Sequence, residues 1–163
     1  MIYEDTSSPY EKAANELKRI DHLIYVSLKY TRTVDVIKNI VDRMLNAFDI
    51  VFDELLTKAE KAGQIFEIPA APKLKCNMIK KLYKDEAELK DYIEFYLLLR
   101  KFKNAQYTAN QEFRRYVTMT ATFASGEVKK LDIDIITEYY HKMKDFVGYS
   151  KTLLEPVEEK SEK

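Results

Sequence analysis

The side chains able to carry acid–base, nucleophilic or metal chemistry are few and scattered. The sequence has two histidines, His22 and His141, and one cysteine, Cys76. No HxxxH, HExxH or CxxC spacing occurs, so no dedicated zinc site is encoded. His22 falls opposite the stripe of Leu17, Ile20 and Ile24, and His141 opposite Ile136, Tyr140 and Met143. Both therefore read as surface residues without a catalytic role. Cys76 reads as a small buried residue rather than a nucleophile, although Lys75, Lys80 and Lys81 beside it would favour a thiolate. Asp132 and Asp134 read as helix-capping residues rather than a cation site. Glu138 and His141 make a single ExxH, whereas a di-iron bundle needs two, with a glutamate on each of two further helices. Phosphate-cradling GxxxxGK and GxGxxG loops are absent. Neither a metal nor a cofactor is expected.

A second constellation is electrostatic. The formal net charge is +0, which excludes a global pull toward nucleic acid or an anionic surface. Yet residues 73–115 carry a basic excess, and acidic residues dominate on either side. Tyr83, Tyr107 and Tyr116 interleave this block. Cations contact phosphates while aromatic rings stack on bases, so the pattern suits nucleic acid or a nucleotide. It equally describes a solvated face with internal ion pairs. The candidate contacts are Lys80, Lys81, Lys84, Arg100, Arg114, Arg115 and Tyr116.

These residues must be positioned by helices. Glycine numbers only 3 and proline 4, too few for a β-sandwich or a glycine-rich α/β fold. Ser8, Pro9 and Glu11 form a helix start with a capping box, predicting a helix over 8–29. Thr33 caps a second helix over 33–62. Along it Val34, Ile37, Val41, Met44, Phe48, Val51 and Leu55 form a heptad seam ended by Gly63. Such a helix is about 45 Å long and must span the molecule. A loop over 64–75 follows, its Ile65, Phe66 and Ile68 expected to tuck against the bundle. Helices are then predicted over 76–83 and 86–103, the latter capped by Asp85 and apolar on nearly every side. The last helix spans 134–154, with Gly148 tending to fray it, and residues 156–163 read as a mobile charged tail.

Residues 109–124 are ambiguous. Val117, Met119, Ala121 and Phe123 alternate with Thr118, Thr120 and Thr122, which is strand periodicity. With Ser125 and Gly126 as the turn, the chain could return as a hairpin. Phe113, Tyr116, Val117 and Thr120 fit a helical face instead, and the helix is preferred. The expected fold is thus all-α, a single-domain antiparallel bundle of five to six helices. The long helix and the all-round apolar one predict a homodimer. A polar, acidic N-terminus, one unpaired cysteine and no membrane-length apolar run predict a cytoplasmic protein. The abundance of Lys, Glu, Ile and Tyr has a thermophile-like flavour.

The stretches Arg19–Arg32, the long helix from Thr33 to Lys61, Phe95–Lys103 and Glu112–Thr118 resemble small archaeal proteins of the HEPN type. The resemblance implies a helical bundle, dimerisation, and an RNA or nucleotide surface or a protein partner. Catalytic members of that family carry Arg-x(4–6)-His. No histidine stands at that distance after any arginine here; after Arg114 those places hold Met119, Thr120 and Ala121. The nuclease activity therefore does not carry over. The expectation is a non-catalytic binding or assembly module contacting RNA or a nucleotide. The alternative is a ribonuclease that has replaced the histidine, with Tyr116 beside Arg114 and Arg115 as its acid–base group, a poor base for a phenol at neutral pH.

Overall fold

A computed structural model of the chain describes residues 7–154; the expected tail over 156–163 lies outside the described residues. The capping box predicted at Ser8 forms: the Glu11 amide donates to Ser8 Oγ at 3.1 Å, and the Ser8 amide to Glu11 Oε1 at 2.9 Å. It starts α1 (Pro9–His22), which passes into a π-helical turn, Leu23–Ser27, and one last turn, α2 (Leu28–Tyr30). The extra residue in the π turn carries no compositional mark, and its amide bond runs from Leu28 back to the Leu23 carbonyl. Thr33 caps α3 (Val34–Lys61) as expected, accepting from the Val36 amide. All seven residues of the predicted seam are buried. Gly63, at φ +76°, ends α3 in the left-handed conformation that glycine adopts without steric cost.

Further along, α4 (Pro72–Leu82) begins earlier than predicted. Pro72 occupies the first helical position, where its missing N–H costs nothing. In the preceding loop Ile65 and Ile68 pack against the core as expected, but Phe66 is 94% exposed. The next helix, α5 (Ala87–Asn104), is capped at Glu86 without a side-chain bond rather than by Asp85. α6 (Ile133–Leu154) runs through Gly148 without interruption.

The all-α expectation is overturned. Among the described residues five helices of eleven residues or more accompany a three-stranded antiparallel sheet, so the fold is α+β. The helix preferred over 109–124 does not form. In its place stand β1 (Gln106–Asn110) and β2 (Thr118–Thr122), with β3 (Val128–Leu131) pairing on the far side. The alternation was the true signal: Val117, Met119, Ala121 and Phe123 are buried, while Phe113 and Tyr116 of the apparent helical face are solvent-exposed. Gln111 and Phe113 adopt φ of 57° and 66°, which no α-helix admits.

Around α3 pack α1, α5 and α6, with α4 against α3 and α5. Phe48 stacks on Phe146 at 4.2 Å between centroids and meets Tyr96 edge-on at 5.3 Å, joining three helices in one aromatic cluster. The tyrosines bridge core and rim. Tyr96 donates to Asp49 at 2.8 Å, Tyr140 to Asp21 at 2.8 Å, and Tyr149 to Glu86 at 2.6 Å, each linking separate parts of the chain. The large apolar side chains of α5 are all buried or half-buried within this single chain, Leu97 and Leu98 included. Their number therefore does not by itself demand a second copy.

Candidate functional site

The loop between β1 and β2 is built to be held. Its Glu112 carboxylate accepts from the Val34 amide at 2.8 Å, satisfying an orphan N–H at the start of α3. Its Phe113 amide donates to the Arg32 carbonyl at 2.6 Å, and Thr118 Oγ1 donates to the Tyr116 carbonyl at 2.8 Å. The first two bonds seat the hairpin tip on the corner between α2 and α3, and the third is internal to the hairpin.

Docking the loop there closes one wall of a cavity of about 580 Å³. The π turn supplies Tyr25, α2 supplies Lys29, and the corner supplies Arg32. The loop supplies Arg115 and Tyr116, the Arg115 guanidinium lying 5.4 Å from the Tyr116 ring centre. The opposite wall is the start of α6, with Asp132, Ile133, Asp134 and Thr137. Asp132 is engaged as the helix cap predicted from sequence, its Oδ1 accepting from the Ile135 amide at 2.9 Å. Three cations thus share the cavity with two carboxylates, which stand at the positive end of α6. Arg32 is half-buried, and its Nε is a buried donor without a hydrogen-bond partner among the described residues. A buried donor in that condition carries an uncompensated desolvation cost.

The seven sequence-derived candidates do not form one surface. Arg115 and Tyr116 line the cavity, and Arg114 is exposed beside them. Lys80, Lys81 and Lys84 belong to α4 and the turn after it, and Arg100 to α5. Lys80 pairs with Glu94 at 3.3 Å. Arg100 lines a groove with Asp42 and Asp49. Lys80 is thus paired within the fold, whereas Lys81 and Lys84 project into solvent. Sequence reasoning missed Tyr25, Lys29 and Arg32. They lie in a segment of acidic balance, and long-range contacts such as that between residues 34 and 112, 78 positions apart, bring them to Arg115.

The remaining chemistry-bearing residues lie elsewhere. Cys76 is fully buried, and burial pushes its thiol up to about 11 despite the nearby Lys80. His22 lines a shallow groove with Lys18, Arg19 and Arg43. Glu138 and His141 line an open groove between α5 and α6 with Glu88, Asp91 and Asp145. Among the described residues no three histidine, cysteine or carboxylate side chains are grouped to hold a metal. No described helix is long and apolar enough to cross a membrane. Compared with protein-family models, curated proteins and solved structures, the chain matches none.

Proposed function

We propose that the chain is a non-catalytic binding module that contacts RNA or a nucleotide at the cavity of Lys29, Arg32 and Arg115. The observation that carries this reading is the convergence of these three cations with the rings of Tyr25 and Tyr116 from separate elements. Cations supply the phosphate-binding term and the rings a stacking surface. A volume of about 580 Å³ suits a ligand the size of a nucleotide. Neither histidine lines this cavity, so acid–base chemistry at a bound phosphodiester would lack its usual agent.

Fluorescence anisotropy with a labelled, 5′-phosphorylated oligouridylate tests the reading. Arg32→Ala and Arg115→Ala should each weaken binding about tenfold and flatten its salt dependence. Lys81→Ala and Lys84→Ala should leave it unchanged. Equal losses from both pairs would mean diffuse attraction to the whole basic block. Cleavage of the oligomer that disappears in Tyr116→Phe would instead support a ribonuclease.

A further inference from the structure

Around the cavity stand rings that the chain leaves in water. Tyr30 is 79% exposed, Phe113 76%, Tyr116 64% and Tyr25 48%. They share one corner of the molecule. Tyr30 is two residues before Arg32, and the Phe113 amide is bonded to the Arg32 carbonyl. Tyr25 and Tyr116 line the same cavity. Single exposed apolar residues are ordinary, but four aromatic rings interspersed with Lys29, Arg32, Arg114 and Arg115 are a patterned surface. Phe113 is presented at φ 66°, a conformation that costs a bulky residue energy, and its ring is then left out of the core. The strain therefore yields no packing within the chain.

We infer that this corner binds single-stranded RNA as a strand, with one nucleotide in the cavity and its neighbours stacked on Phe113 and Tyr30. The inference rests on the cavity reading above and deepens it. Exposed ring faces engage bases only when those bases are unstacked from a duplex, which selects a single strand. The flanking cations, Arg114 outside the cavity among them, match a polyanion rather than a neutral or basic protein surface. Asp132 and Asp134 on the far wall repel phosphate and accept from hydroxyls, so they suit the ribose side of the nucleotide.

Competition against a fluorescein-labelled oligouridylate of about eight nucleotides tests this with the full chain. UMP, longer oligouridylates, a blunt RNA duplex and the matching deoxy-oligomer serve as competitors. Affinity should rise at least about tenfold from one to four nucleotides, and the duplex and the deoxy-oligomer should compete more weakly. Phe113→Ala and Tyr30→Ala should weaken the long oligomer about fivefold or more and leave UMP unchanged. Thermal melting verifies that each variant is folded, and Phe113→Tyr should retain binding. If UMP competes as well as the oligomer, or Phe113→Ala changes nothing while Arg32→Ala still does, the strand reading is overturned and the nucleotide cavity stands. If the duplex competes equally, stacking plays no part and the strand reading falls. Equal competition by the deoxy-oligomer overturns the assignment to RNA. If no competitor binds, the strand and the cavity readings fall together.

Discussion

The Glu112 carboxylate accepts the Val34 amide at 2.8 Å, so a residue of the hairpin tip caps the long central helix. Thr33 already caps the same terminus from within the chain's local sequence, through the Val36 amide. One helix end is thus satisfied twice, once locally and once by the loop that carries Arg115 and Tyr116. Removing the second cap should act on stability and on the cavity together. Glu112→Ala is expected to cost about 1 kcal/mol, a fall in Tm of about 2–4 °C for a chain of this size. Glu112→Gln keeps an acceptor and should lose less. In binding experiments both should weaken the phosphorylated oligomer in the same order, as the loop loosens. Thermal denaturation beside anisotropy checks the pairing of the two effects; a stability loss with unchanged affinity would detach the cap from the site.

Asp49 makes stability depend on pH. Burial raises its pKa above the ordinary 3.8, and the neighbouring Asp53 adds to this, against the hydrogen bond from Tyr96. The native state therefore retains a proton in a window where the unfolded chain has released it. Stability from this group is greatest below about pH 4, falls as pH rises through the native pKa, and is level beyond it. Asp49→Asn still accepts from Tyr96 and carries no charge. Its stability relative to the parent should increase from pH 4 to pH 7, as urea midpoints at the two pH values would reveal. An unchanged difference between the two would refute the assignment.

Cys76 should be inert in the folded protein. Its thiol is pushed up from 9.0 to about 11, chiefly by burial. The thiolate fraction at neutral pH is then lower by about a hundredfold, with access restricted besides. N-ethylmaleimide at pH 7.5 should label the native chain at least that much more slowly than the urea-unfolded chain. Rapid native labelling would contradict the packing of α4 on α3.

Phe113 should separate stability from function. Phe113→Gly relieves the left-handed strain and should raise stability by up to about 1 kcal/mol, less the greater freedom of glycine in the unfolded chain. The same variant removes a stacking ring and should weaken the RNA oligomer. Calorimetry and anisotropy on one preparation would register the opposite signs. A destabilised variant would mean that the ring packs where it stands.

Much of the frame was legible because its signals are local. The Ser8 box, the Thr33 cap, the seam from Val34 to Leu55 and the Gly63 stop each depend on residues a few positions apart. The hairpin was legible too, in the alternation from Val117 to Phe123, but Phe113 and Tyr116 imitated a helical stripe. They imitate it because they are apolar residues set aside for the surface, which periodicity cannot distinguish from residues set aside for the core. Part of the cavity was visible as Arg115 and Tyr116 in the basic block. Tyr25, Lys29 and Arg32 were not, since nothing near them in sequence signals the docking of a loop from 78 positions away. The π turn gave no sign, since Leu23–Ser27 carries no glycine or proline to mark a break in the helix.

That π turn acts as a clutch within the first helical run. Each residue added to a helix turns everything beyond it by about 100°. The body of α1 keeps Ala13 and Ile20 against the core, while the run beyond the turn is rotated to deliver Lys29 to the cavity. Beyond Ser27 the run serves both ends: Leu28 stays fully buried in the core while its neighbour Lys29 is exposed and lines the cavity, so a change at Lys29 alters the cavity wall without touching the bundle.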